Sequence, residues 1–372
     1  MIYLDNAATT GKKPPLVINA FNNAIKYYCV NPGRSGYSLS IRASEKIYST
    51  RQKMADFFGC QHPENVIFTL NCTHALNTVL KGILSYGDHV IISNLEHNAV
   101  VRPLMELVKN YSVSFDTFDA FADDIKTELK SKVKSNTKLI VSTHVSNVCG
   151  KVLPIKEIGE FAKENNILFC VDAAQSAGVL PISVSEMNIN YLCVAAHIGL
   201  YAPMGLGLLI INGVIPKTLV QGGTGTNSIE LTQPSVLPES FESGTINLPA
   251  VLSLGAGLDF VKSKGIKQIF LHEKKLCDFF VNSLKNNKKI QFFGLGEDNA
   301  PVISFNIKDR TSEEVGDYLS KHNVAVRTGL HCAPIAHKTL NTLKTGTVRI
   351  SPSVFNNYKE IEKTAYLLNN IY

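Results

Sequence analysis

The sequence predicts an α/β fold with a smaller α+β region at its C-terminal end, and three observations carry that prediction. Between about residue 60 and residue 212, short β-rich runs alternate with helical patterns. Those runs are almost continuously apolar rather than alternating, which suits a mainly parallel sheet covered on both faces. From near Pro249 the order changes to two long helical stretches followed by separated strand-like runs.

The elements follow in order. Strands are expected at 66–69, 90–93, 138–142, 167–171, 191–194 and 206–211, each an apolar run bounded by polar or glycine-containing turns. Helical periodicity then runs from 249 to about 263 and from 267 to 285. A strand is expected at 301–306, and a helix opens at the capping-box pattern Thr311-x-x-Glu314. Further strands are expected at 324–327 and 347–350, and a terminal helix from about Tyr358. No internal repeat or low-complexity segment interrupts this order.

Composition narrows the function classes. The chain has 372 residues, 45% of them hydrophobic and 18% charged, with a formal net charge of +6, which is ordinary for a globular enzyme. Lys274-Lys275 and Lys288-Lys289 are short basic pairs beside apolar helical residues, so they read as solvated faces, not as a nucleic-acid footprint. The eight cysteines form no CxxC pair, which argues against a zinc ribbon or a disulfide framework, and no metal site is expected. The N-terminus lacks a basic-then-apolar leader pattern, and no apolar stretch approaches the ~20 residues that span a bilayer. A reducing, cytoplasmic setting is the expectation.

In a parallel α/β sheet, ligands bind beyond the carboxyl ends of the strands. The unusual polar residues fall at those ends: Asn71-Cys72-Thr73, Glu96-His97, His144 to Asn147, Asp172 to Gln175, and His197. Thr73 falls at a helix N-terminus, where free N–H groups favour an anion such as a phosphate, although a plain cap is the simpler reading. Asp172 closes a buried strand and needs a hydrogen-bonded or cationic partner, either a protonated pyridine nitrogen or a nearby Lys or Arg. His97 is either a satisfied core histidine or a ring that stacks on a planar cofactor. Cys332 sits in a Gly/Pro-containing loop next to His331 and five residues from Arg327, and nearby cations stabilise a thiolate. Arg349 is a charge inside an apolar strand, suited either to a bidentate carboxylate ligand or to a structural ion pair.

In this order and spacing the segments resemble the cysteine desulfurases and selenocysteine lyases, within the class V aminotransferase group of fold-type I enzymes that use pyridoxal 5'-phosphate (PLP). The resemblance rests on Tyr3-Leu4-Asp5-Asn6-Ala7-Ala8-Thr9-Thr10, Asn31-Pro32, Glu96-His97, His144-Val145-Ser146-Asn147, Asp172-Ala173-Ala174-Gln175-Ser176-Ala177-Gly178, Phe241-Glu242-Ser243-Gly244-Thr245, Val326-Arg327-Thr328-Gly329 and Gly346-Thr347-Val348-Arg349. It implies a large PLP-binding domain over residues 12–250 around a seven-stranded type of sheet, with residues 1–11 and 251–372 forming a small α+β domain. It implies that Cys72 and Thr73 hold the PLP phosphate, helped by His197, and that His97 stacks on the ring. Asp172 pairs with the ring nitrogen, which keeps the cofactor an electron sink. Asn147 and Gln175 are placed near the ring hydroxyl and the substrate, and Arg349 on the substrate carboxylate. Cys332 carries away sulfur from L-cysteine, or selenium from selenocysteine, leaving alanine. Thr245 reaches the phosphate of a neighbouring subunit, which implies a homodimer. A persulfide-acceptor protein is an implied partner.

The resemblance breaks chiefly at residues 195 to 205. The family pattern Ser-x-His-Lys, followed by Gly-Pro-x-Gly, reads here Ala195-Ala196-His197-Ile198 and then Ala202-Pro203-Met204-Gly205. His197, Pro203 and Gly205 fix the register, so Ile198 takes the position of the Schiff-base lysine. Isoleucine can neither attach the cofactor nor move a proton, and losing a positioned acid–base group alone costs about 10²–10⁴-fold in rate. Ala195, Ala202 and His74 also depart from the family pattern. Four readings stay open: a cysteine desulfurase or selenocysteine lyase of reduced activity; a catalytically inactive binder of PLP or a PLP adduct, acting as sensor or partner; a PLP reaction with His97 or His144 as base; and a cofactor-free structural protein.

Overall fold

The computed structural model describes residues 1–33, 35–226 and 228–371. The chain opens with β1 (Ile2–Tyr3), α1 (Pro15–Tyr27) and α2 (Ser38–Phe57). The strand–helix alternation follows as β2 (Val66–Thr69), α3 (Cys72–Ile83), β3 (His89–Ser93), α4 (Asn98–Tyr111), β4 (Ser114–Phe118) and α5 (Ile125–Lys130). It continues through β5 (Thr137–Thr143), α6 (Ile155–Glu164), β6 (Leu168–Asp172), β7 (Tyr191–Ala195) and β8 (Gly207–Ile211). The seven strands β2 to β8 form one sheet in the order β2-β8-β7-β6-β5-β3-β4.

That sheet is mainly parallel, as its apolar runs predict, with one exception. β8 runs antiparallel to both β2 and β7, because only a short turn region separates Ala195 from Gly207 and no crossover helix intervenes. All six expected strands are present. The seventh, β4, is not among the expected ones: it is an edge strand whose exposed and half-buried positions lack the continuous apolar run of its neighbours.

Successive residues of the central strands pack to opposite sides, as the period of two requires. Phe68, Ile91 and Ile140 join one apolar cluster; Ile67, Val90 and Leu139 join another. Two buried faces per strand explain why these runs show no polar alternation. The first cluster also takes in α2, α6 and α7 (Leu248–Lys264); the second takes in α3 and α4. Gly257 of α7 marks one close approach: a Cβ there would lie 2.0 Å from the Leu200 carbonyl oxygen.

After α7 come α8 (Ile266–Leu284), β9 (Ile290–Phe293), β10 (Ile303–Ile307) and α9 (Ser312–Lys321). The Thr311–Glu314 capping box is formed as its spacing predicts. The expected strand at 324–327 is split into β11 (Val324–Ala325), which pairs with β1, and β12 (Arg327–Gly329), which pairs with β13 (Thr347–Ile350). The division at Val326 lets one extended stretch serve two sheets, which a run of β-formers cannot announce. A four-stranded antiparallel sheet, β12-β13-β10-β9, results. Between β12 and β13 lies α10 (Pro334–Thr339), and α11 (Tyr358–Asn369) closes the chain.

Two sets of contacts join distant segments of the chain. β1 and the turn after it lie along β11 and the end of β13, joined by the Asp5–Ser351 bridge. Glu242 makes a two-pronged ion pair with buried Arg51, both bonds 2.8 Å, and also accepts the Phe68 N–H at 2.7 Å. This ties the Phe241–Thr245 motif to the edge of the large sheet.

Candidate active site

The carboxyl ends of β2, β5, β6 and β7, with the start of α4, open onto one cavity of about 180 Å³. Asn71, Cys72, Thr73, His97, Asn147, Asp172, Gln175, His197, Ile198 and Arg349 all line it, together with Ala7, Ala8 and Arg327. Ten of the sequence-derived candidates are therefore brought to one place. Cys332 stands beside them, because Arg327 of the wall reaches its sulfur at 3.5 Å. Thr245 is not in this wall; it is exposed on the loop before α7.

At the end of β2, Asn71 rather than Thr73 caps α3, its side chain accepting the His74 N–H at 2.8 Å. Thr73 is inside the first turn, where the backbone N–H groups have no intrahelical partner. Asn71 is held close: a Cβ on Gly207 of β8 would lie 2.4 Å from the Asn71 carbonyl carbon. The absence of a side chain at 207 is thus what lets the α3 N-terminus sit at the sheet edge.

Asp172 ends β6 and is buried. Its Oδ1 accepts the Ala174 N–H at 2.9 Å and the Cys72 S–H at 3.4 Å, and neither partner is a cation. Burial pushes its carboxyl above the usual range. Of the two partners the sequence allows for it, a neighbouring Lys or Arg is not the one it has. Burial, then the Asp172 charge, push the Cys72 thiol well up, so this cysteine is a neutral donor.

Behind Asp172 lies Glu96, whose Oε1 accepts the Ser93 hydroxyl at 2.5 Å and the Thr143 N–H at 2.6 Å, while Oε2 has no partner. Burial raises its carboxyl to about 8. It is a neutral acid that ties β3 to β5.

His97 caps α4, its Nδ1 accepting the Ala99 N–H at 3.0 Å. That bond fixes Nδ1 as unprotonated, and burial lowers the ring's pKa. His197 also has a lowered pKa, from burial and then from the Lys13 charge, and its buried Nδ1 has no partner. Lys13, Thr10 and Thr9 all bond the His197 carbonyl or that of Ile198. His144 is buried outside the wall, with an unpartnered Nδ1 and a pKa lowered to about 4 by burial. A buried ring outside the cavity is poorly placed as a base.

Asn147 and Gln175 line the cavity, with one amide N–H of each committed elsewhere. Asn147 donates to the His331 carbonyl at 2.8 Å, and Gln175 to the Ala7 carbonyl at 2.9 Å. The first bond, with Asn98 N–H on the Cys332 carbonyl at 2.7 Å, pins the cysteine loop over the cavity. His331 and Cys332 are consecutive left-handed residues, φ 48° and 57°, a conformation that side chains with a Cβ adopt only when held there. Of the eight cysteines only Cys29 and Cys332 are exposed.

Arg349 is 1% exposed. Its Nη2 bonds Asp5 Oδ1 at 2.7 Å, its Nη1 donates to the Asn147 carbonyl at 2.9 Å, and its Nε has no partner. The structural ion pair is therefore formed, by a residue that enters the sequence reading only as part of a motif. The available signal is a second charge, Asp5, beside the apolar stretch Ile2-Tyr3-Leu4. Chemically, the cavity offers helix N–H groups for an anion, a buried carboxylate for a cationic ring nitrogen, an arginine, and a thiol at its mouth. At Ile198 it offers no amine.

Known proteins share this architecture. A family model described as Aminotransferase class-V matches residues 2–364. A protein of Methanothermobacter thermautotrophicus named "Probable cysteine desulfurase" is 31% identical, over 100% of this chain and 94% of its own. A cysteine desulfurase of Yersinia pseudotuberculosis is 31% identical, over 90% of this chain and 84% of its own. The apo structure of a cysteine desulfurase from Thermococcus onnurineus superposes with a TM-score of 0.92 at 29% identity, over 99% of this chain and 94% of that one.

Proposed function

The chain belongs to the class-V aminotransferase family, in its cysteine desulfurase branch, and from that premise we propose that it binds PLP in the cavity at the strand ends and serves sulfur removal from L-cysteine or selenium removal from selenocysteine. The observation that carries the reading is Asp172, a buried carboxylate whose hydrogen-bond partners, the Ala174 N–H and the Cys72 S–H, include no cation. A protonated pyridine nitrogen would supply the cation it lacks.

In this reading the first turn of α3, with Thr73 and Cys72, takes the phosphate, and His197 turns its unpartnered Nδ1 to the same group. His97 lies on the ring face, and Asn147 and Gln175 flank the ring and substrate. Bound PLP supplies an electron sink for the substrate carbon. Arg349 takes the substrate carboxylate. Cys332 takes the substrate sulfur: a sulfur–sulfur bond forms, the carbon–sulfur bond breaks, and L-cysteine plus thiol becomes alanine plus the persulfide. An acceptor protein then takes the persulfide sulfur from the exposed loop. Thr245, exposed and outside its own chain's cavity, serves the phosphate site of a second copy in a homodimer.

Ile198 favours a second reading within the same site. At the lysine position it provides neither covalent attachment nor a proton carrier, so the cofactor is held without a covalent bond and the chain acts as a binder of PLP or its amino acid adduct. The two are separated by alanine and sulfide release from L-cysteine with added PLP, in this chain and in Ile198→Lys. The desulfurase scaffold predicts release at least about 10²-fold faster from the lysine form. Equal release from both would remove position 198 from the mechanism. No cofactor uptake by either form would overturn the proposal.

A further inference from the structure

Arg349 is offered two carboxylates: that of the proposed substrate, and that of Asp5, which already holds it. A guanidinium binds a carboxylate bidentately through one of two edges, Nε with Nη2 or Nη1 with Nη2. Nη2 belongs to both edges, and Asp5 Oδ1 is on it at 2.7 Å. Nη1 is committed to the Asn147 carbonyl, leaving Nε as the nitrogen without a partner. An incoming carboxylate must therefore displace Asp5 from Nη2 or lie beside a like charge there, and both outcomes weaken its binding.

The backbone of Asp5 cannot retreat to avoid this. It bridges Ser351, while the Asn6 N–H bonds the Ser351 carbonyl at 3.2 Å and the Ala7 N–H bonds the Ser351 hydroxyl at 2.8 Å. The side chain can: it is 20% exposed, against 1% for Arg349. Exchange thus moves one side chain toward solvent and leaves the guanidinium in place.

We propose that Asp5 is a built-in competitor for Arg349, a specificity-determining residue that keeps the guanidinium neutralised in the free protein and is exchanged for the α-carboxylate of an amino acid. The proposal rests on the assignment of Arg349 to the substrate carboxylate. Asp5 sets the affinity and makes it depend on a full negative charge, so carboxylate ligands are weakened by its presence and their esters are not.

The test titrates L-alanine, and separately its methyl ester, into the PLP-loaded protein by calorimetry. Wild type, Asp5→Asn, Asp5→Ser and Arg349→Gln are compared, and the L-alanine series is repeated as a melting-temperature shift without added cofactor. Both Asp5 variants are expected to bind L-alanine at least about tenfold more tightly than wild type, with ester binding unchanged. Unchanged or weaker L-alanine binding in both, or none in any form, overturns the proposal. If Arg349→Gln still weakens L-alanine in that case, the carboxylate site stands and Asp5 merely orients it. If Arg349→Gln has no effect, the assignment of Arg349 falls, and the competition with it.

Discussion

Nη2 of Arg327 lies 3.5 Å from Sγ of Cys332. The two residues come from a short strand and from the loop after it, and a left-handed pair of residues turns the sulfur back toward the guanidinium. The contact leaves the sulfur at the mouth of the cavity, on one of the two exposed cysteines.

Iodoacetamide should alkylate Cys332 well ahead of the six buried cysteines, because its sulfur is reached by solvent and theirs are not. Peptide mapping of timed alkylation measures this. Alkylation of Cys332 no faster than that of the buried cysteines would mean that the loop does not present the sulfur to solvent.

A second expectation concerns the support of that loop. Ser304 donates to the Val148 carbonyl at 2.6 Å and Thr347 donates to Ser304 at 3.1 Å, so the His331 ring must donate its Nε2–H to Thr347 at 2.9 Å. His331 is 2% exposed, its Nδ1 has no partner, and burial lowers its pKa to about 2. Thr347→Val strands a buried N–H and should cost about 1–3 kcal/mol in urea unfolding. A loss below about 0.5 kcal/mol would show that the ring finds another acceptor.

The pH dependence of stability has a determinable sign. Burial raises Glu96 and Glu273 to about 8, so between about 4.5 and 8 the folded chain keeps protons that the unfolded chain has released, and stability falls as pH rises. Burial lowers His144 and His337 to about 4, so below 6.5 the unfolded chain binds protons that these rings refuse, and stability falls as pH drops. The two effects oppose each other below 6.5; above it the carboxyls lead until pH nears 8, where Lys13, whose ammonium burial lowers to about 8, begins to oppose them. Stability should decline from pH 6.5 to 8 by up to about 1.4 kcal/mol per unit for each carboxyl, and Glu273→Gln should remove roughly half of that slope. A flat profile in the wild type would show that both acids ionise without cost.

Asp172→Asn should act in opposite directions on two quantities. Without cofactor it replaces a buried carboxylate lacking a cationic partner, and should raise unfolding stability by about 1 kcal/mol. With PLP it removes the charge proposed to face the ring nitrogen, and should weaken uptake in equilibrium dialysis at least about tenfold. Unchanged uptake would detach Asp172 from the cofactor.

Much of the fold is legible in sequence because local chemistry repeats along it. Continuous apolar runs mark six sheet strands, since a strand buried on both faces has no polar side to display. The α9 capping box marks its own start, because both of its hydrogen bonds lie within four residues. The edge strand β4 lacks that signature, and the antiparallel placement of β8 depends on chain connectivity rather than on its own residues.

The candidate site divides along the same line. That Asn71 to Thr73, His97, Asn147, Asp172 to Gln175 and His197 share a sheet edge followed from their positions after strands, and that no amine stands at Ile198 was fixed by the register of its neighbours. Only the tertiary structure decided their partners: Asp5 on Arg349 across 344 positions, Asn147 on the His331 carbonyl across 184, and Cys72 on Asp172 across 100. A side chain's type determines what it must find, but which group answers it is set by how distant segments pack, and no local pattern encodes that distance.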